Sequence, residues 1–131
     1  MYKRQVNQTP VDWFSKKQST VETATYGSEF MAARTCVEQI INLRTTLRHL
    51  GVPLREKSHM FGDNQPVVDS STRSHAKLHK RHTALSFHCV REAIASGYLM
   101  FFHLPGAANP ADILSKHWNC SDVWNLSLIH I

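Results

Sequence analysis

The stretch TYGSEFMAARTCVEQIINLRTTLRHLG, residues 25 to 51, narrows most sharply what this chain can fold into. From Phe30 onward, Ala33, Val37, Ile40 or Ile41, Leu43, Leu47 and Leu50 recur at three- and four-residue intervals, which predicts one long amphipathic helix. Thr25 or Ser28 can cap its start, and Gly51 followed by Pro53 can stop it. An apolar stripe of that length has to bury itself against another layer of structure.

The segments around it supply that layer. TPVDWFS, residues 9 to 15, reads as a strand bounded by Pro10 and the polar run SKKQST. LREKSHMF, residues 54 to 61, predicts a short strand ending at Met60 and Phe61. After GDNQ, Pro66 suits the first turn of a helix, where its missing N–H has no partner to lose, and VVDSS adds one or two turns. Residues 72 to 82 are polar, basic and without periodicity, so an extended loop is expected. ALSFHCVREAIAS returns to helical spacing through Leu85, Cys89, Ala93 and Ile94, with Gly97 as its stop. YLMFFHLP, residues 98 to 105, reads as a strand, with Phe101 or Tyr98 and, on the helix before it, Phe87 as packing groups. NPADILSKHW reads as a final helix with Asn109 as cap and Pro110 at its first position. Such alternation predicts an α/β domain around a mixed sheet.

With 131 residues there is room for one ordinary domain, and 42% hydrophobic residues place it among globular chains. No apolar run is long enough to span a bilayer and no secretory signal is evident, so no membrane partner is expected. Cys36, Cys89 and Cys120 are scattered, which fits a reduced compartment.

Three acids fall where elements begin or end: Glu29 near the start of the long helix, Asp63 just after a strand, and Asp112 at the start of the last helix. Strand ends in α/β domains are where separate segments converge on a site. Carboxylates gathered there repel one another unless divalent cations neutralise them, and hard oxygen ligands suit magnesium or manganese. Plainer roles compete with this one. Glu29 and Asp112 also suit a helix dipole, and Asp63 suits an Asx turn.

The formal charge of +5 invites a polyanionic partner without proving one. In HAKLHKRHTALSFHCVRE, Lys80 and Arg81 precede a helix carrying His88 and Arg91. Arg81, His88 and Arg91 share a face if that helix begins at Arg81, which would offer them to phosphate oxygens opposite an apolar face of Leu85, Cys89 and Ala93. A solvated basic surface is the plainer alternative. His75, His79, His82 and Cys89 lack the paired spacing of structural zinc sites, so zinc is disfavoured.

STVETATYGSEFMAARTCVEQIINLRTTLRHLGVP, FGDNQPVVDSS, HAKLHKRHTALSFHCVREAIASGYLMFFHLPG and NPADILSKHW, in this order and spacing, closely resemble the ribonuclease H domain of copia-type (Pseudoviridae-like) retrotransposon polyproteins. The resemblance covers nearly all of residues 9 to 118. It implies a ribonuclease H-like mixed sheet flanked by helices and an enzyme that hydrolyses the RNA strand of RNA–DNA hybrids during reverse transcription. Two magnesium or manganese ions would be its cofactors, with Glu29 of YGSEFMAA, Asp63 of FGDNQ and Asp112 of NPADILSK as metal ligands. His103 of FFHLPG lies near the stretch that supplies a catalytic histidine or related residue in some such enzymes, although a satisfied strand-end histidine fits equally well. Implied partners are the hybrid and the upstream reverse transcriptase region, and the implied location is a cytoplasmic virus-like particle.

One departure matters. The family carries its first catalytic aspartate on an opening strand, upstream of TPVDWFSKKQ, and Asp12 does not match it. MYKRQ at residues 1 to 5 and LSLIHI at 126 to 131 resemble translated sequencing-adapter sequence, which leaves residues 6 to 125 as a partial domain lacking its first strand. Without Lys3 and Arg4, the body carries thirteen basic and ten acidic side chains, a formal +3. The expectation is a fragment inactive or nearly so in isolation; the alternative is a noncatalytic nucleic-acid-binding or polyprotein-interaction module.

Overall fold

The computed structural model describes residues 2–6, 9–14, 25–78 and 81–109. They fall in two compact units, one formed from Met1–Val21 and Leu104–Ile131, the other spanning Glu22–His103.

In the first unit, β1 (Tyr2–Val6) pairs antiparallel with β2 (Thr9–Phe14). The register runs from Tyr2 opposite Phe14 to Val6 opposite Thr9 and shifts between Arg4 and Gln5. Gln5 there faces Pro10, which has no N–H to give to the ladder, and irregularities collect at such points. The strand expected over residues 9 to 15 is present. Its partner, β1, lies almost wholly in the adapter-like residues 1 to 5. A 3-10 turn, Gly106–Ala108, also belongs to this unit. Asn109, the expected cap of the last helix, is extended at φ −79° and ψ 108°; the rest of that helix, from Pro110 on, lies outside the described residues.

The second unit is mixed α/β. Its elements are α1 (Thr25–His49), β3 (Ser58–Gly62), α2 (Gln65–Thr72), a 3-10 turn (Arg81–Thr83), α3 (Ala84–Ala95) and β4 (Leu99–His103). β3 and β4 are parallel, with Ser58 opposite Leu99 and Gly62 opposite His103. Parallel neighbours need a long crossover, which α2 and α3 provide.

α1 buries Phe30, Ala33, Val37 and Ile40, the first part of the expected stripe, whereas Leu50 is 73% exposed. At the carboxyl end, the Val52 N–H donates to the Leu47 carbonyl and the Gly51 N–H to Arg48, a Schellman closure. Gly51 takes φ 76°, which glycine adopts without a Cβ penalty.

α3 is rotated from the expected phase. Its buried residues are Ser86, Phe87, Val90 and Ala93, and Leu85 is 67% exposed. Two contacts set this orientation. The Phe87 ring packs 5.6 Å from that of Phe30, and the Ser86 hydroxyl finds an acceptor in the Met31 sulfur at 3.0 Å, so it can be buried without losing a hydrogen bond.

Met60, Leu99 and Phe101 turn inward from the sheet to join Phe30, Val37, Val67, Val68 and Val90 in the core. His59, Phe61, Met100 and Phe102 point the other way and are exposed, with the Phe61 and Phe102 rings stacked at 5.8 Å. No helix among the described residues is long and apolar enough to cross a membrane.

Candidate active site at the ends of the parallel strands

β3 and β4 end side by side, and the residue after Gly62 is Asp63. A Cβ on Gly62 would lie 2.9 Å from the Phe101 ring, so glycine lets the strand pass this close to the core. The chain then turns directly into α2. Asn64 is the cap residue: its side-chain oxygen accepts from the Val67 N–H at 3.4 Å, and its carbonyl accepts from Val67 and Val68. Pro66 occupies the first turn as its missing N–H allows. The turn role open to Asp63 in the sequence is therefore filled by its neighbour. Asp63 is exposed, and among the described residues nothing hydrogen-bonds or ion-pairs with its carboxylate.

His103, the last residue of β4, places Nε2 3.2 Å from the Asp63 backbone oxygen. In the tautomer protonated at Nε2, the ring donates to that carbonyl and ties the two strand ends together. This positions the backbone from which the Asp63 carboxylate projects.

Helix directions bring Glu29 toward the same end. α3 passes through Gly97, at φ 77°, directly into β4, so it runs opposite to the strands, and its first turn lies near their carboxyl ends. Phe30 and Met31 pack on that first turn through Phe87 and Ser86. Near the other end of α1, Arg44 donates to the Glu56 carbonyl at 2.9 Å and to the Ser58 hydroxyl at 3.0 Å, just where β3 begins. α1 therefore runs antiparallel to β3, and half-buried Glu29, beside Phe30, sits toward the end that carries Asp63 and His103. Asp112 lies outside the described residues. Among those described, no three His, Cys, Asp or Glu side chains come close enough to hold one ion. What the site presents is hard oxygen chemistry: an unengaged carboxylate at a strand end, of the kind magnesium and manganese prefer.

The basic stretch divides differently from its expected form. Lys80 lies outside the described residues, and Arg81 and His88 are exposed. Arg91 is not presented on their face. Its guanidinium donates to the carbonyls of Ser70, Arg73, Ser74 and Ala76 and lies 5.1 Å over the Phe87 ring. Sequence reasoning placed Arg91 on the surface because the acceptors that hold it are backbone groups 15 to 21 positions away. Of the disfavoured zinc group, His79 and the His82 side chain are outside the description. Cys89 is half-buried on α3, and burial pushes its thiol pKa up, with Glu38 and Glu92 adding to the rise and Arg34 opposing it.

Comparison with known proteins places the chain beside polyprotein segments. It is 30% identical over 107 residues to the retrovirus-related Pol polyprotein from transposon TNT 1-94 of Nicotiana tabacum, a match covering 81% of this chain and 8% of the relative. It is 25% and 24% identical to the retrovirus-related Pol polyproteins from transposons RE2 and RE1 of Arabidopsis thaliana, over 82% of this chain and 7% of each relative. The chain thus spans under a tenth of the length of these relatives. No family model matches it, and no solved structure matches it.

Proposed function

We propose that this homologue of a Pol polyprotein segment is the ribonuclease H region of a copia-type retrotransposon polyprotein, a metal-dependent endonuclease acting on the RNA strand of RNA–DNA hybrids. The observation that carries the reading is Asp63. It stands unengaged at the carboxyl edge of two parallel strands, with His103 bonded to its backbone and Glu29 in the early turns of α1, the helix that starts toward that edge. Similarity to Pol polyproteins over four-fifths of the chain supports it independently.

In this reading Glu29, Asp63 and Asp112 would hold the cations, as hard oxygen ligands suited to divalent ions such as magnesium or manganese. Two such ions would supply activation of a water and stabilisation of the leaving oxygen. The chain itself positions: Gly62 lets β3 pass against Phe101, Asn64 takes over the cap, and His103 fixes the Asp63 backbone. Exposed Arg81 and His88, with Lys80, contact phosphate oxygens without reading sequence. The upstream reverse transcriptase region is the neighbour in the polyprotein, and a virus-like particle is the setting.

The resemblance also calls for an aspartate on an opening strand, which Asp12 does not match. β1 (Tyr2–Val6) carries no acid, so cleavage by this chain should be slight unless an aspartate-bearing strand is supplied. The test is a magnesium titration of hybrid cleavage by this chain and by one extended upstream through the strand. Magnesium-dependent cleavage by the extended chain alone is expected; equal cleavage by both would refute the missing-ligand reading. Hybrid binding without cleavage by either would select a noncatalytic binding module.

A further inference from the structure

We infer that Arg91 is a positioning residue and that the loop it holds, residues 73 to 78, is a contact surface for nucleic-acid phosphates. The inference rests on the nucleic-acid part of the reading above and assigns a surface that reading lacks.

The loop is built around the guanidinium. One terminal nitrogen of Arg91 lies 3.2 Å from the Ser70 carbonyl, 3.0 Å from that of Arg73 and 3.5 Å from that of Ala76, and the other lies 2.9 Å from that of Ser74. The flat face of the group rests on Phe87 at 5.1 Å. Among the described residues no carboxylate pairs with it, so its positive charge is shared with carbonyl dipoles and the Phe87 ring.

Turning those carbonyls inward has a geometric consequence. In a planar trans peptide the C=O of one residue and the N–H of the next point in opposite directions. With the carbonyls of Arg73, Ser74 and Ala76 drawn to Arg91, the N–H groups of Ser74, His75 and Lys77 face away from it. Among the described residues no acceptor takes any of the three. Outward backbone amides of this kind are anion donors. The side chains of the loop agree in sign: Arg73 and Lys77 are exposed cations, and the Arg73 contact with Asp69 is a long 3.4 Å pair at the surface. Beside the loop lies an open groove whose polar lining is Ser71, Thr72, Ser74, His88 and Arg91, completed by the acid Glu92 and by apolar Ile94 and Ala95. Hydroxyls, backbone amides and cations are the groups that contact a phosphate backbone.

The test measures affinity of the full chain for an RNA–DNA hybrid across a salt series. Lys77→Ala should lower the slope of log affinity against log salt by about 1, one phosphate contact, with the melting temperature unchanged. Arg91→Lys keeps the charge but has no planar fork to span four carbonyls. It should lose affinity as Arg91→Ala does, with the slope lower by about 2, and hydrogen exchange should quicken at Ala76, whose N–H donates to the Arg73 carbonyl, and not in α1. Wild-type binding by Arg91→Lys would overturn the positioning role, because charge alone would then suffice. An unchanged slope in Lys77→Ala would overturn the loop surface even if both Arg91 variants failed to fold. Polyglutamate that displaced hybrid at equal charge would overturn the nucleic-acid assignment, as would absence of hybrid binding at any salt. Loop-dependent binding by an extended chain that never cleaves would sink the ribonuclease reading and leave this inference standing. Cleavage with every slope unchanged would do the reverse.

Discussion

The two ends of α2 solve the same problem in opposite ways. At the amino end the helix is closed by its own neighbours: Asn64 caps it, Pro66 removes one orphan donor, and the adjacent charge, Asp63, is left over. At the carboxyl end no glycine closes the helix; Arg73 follows in extended conformation, φ −78° and ψ 127°. The Arg73 N–H still closes on the Asp69 carbonyl, but the Ser70 carbonyl, with those of Arg73, Ser74 and Ala76 just beyond the helix, is collected by Arg91 from another helix. A helix end that is satisfied locally releases its charged neighbour for chemistry. One satisfied from a distance consumes a charge, and that charge then serves the fold.

Stability measurements can break this contrast. Arg91→Ala should cost the most, about 2–3 kcal/mol in chemical denaturation, because several bonds to a charged donor are lost at once along with the contact on Phe87. A loss under about 0.5 kcal/mol would mean that water replaces the guanidinium freely and the carboxyl end needs no remote partner. Gly62→Ala comes next at about 2 kcal/mol, since its Cβ would lie 2.9 Å from a ring buried in the core. That variant also displaces the Asp63 backbone, so any cation binding by the site should weaken with it. Asn64→Ala should cost about 0.5–1 kcal/mol, at the low end for a cap because its bond to the Val67 N–H is long at 3.4 Å.

Much of this architecture is legible in the sequence where structure is local. The limits of α1 follow from its stripe and from Gly51, and Pro66 marks the start of α2. The end of β3 at Gly62 lies one residue beyond the expected strand, so Asp63 stands where the reading of FGDNQ put it. The phase of α3 was not legible. Hydropathy ranks Leu85 and Cys89 above Ser86, and only the Met31 sulfur, 55 positions away, makes the buried serine acceptable. Arg91 was misplaced for the same reason, since its partners are backbone groups of a loop whose path no local signal encodes. β1 was not anticipated because its residues read as foreign to the domain.

The smallest expected effect is the most diagnostic. If the amino end of α2 is complete without Asp63, then Asp63→Asn removes a charge that no described residue uses, and stability should change by less than about 0.5 kcal/mol. A turn residue would behave otherwise: loss of an Asx-type cap would cost about 1 kcal/mol, as at other helix starts. A metal ligand, by contrast, should leave a large trace in binding. Manganese affinity of the chain extended through the opening strand, followed by its paramagnetic resonance signal, should fall at least about 10–100-fold, the range that even supporting residues of metal sites show. A stability loss with unchanged manganese affinity would return Asp63 to the role of a turn residue. The opposite pair of results would mark it as a carboxylate that the fold positions and does not itself need.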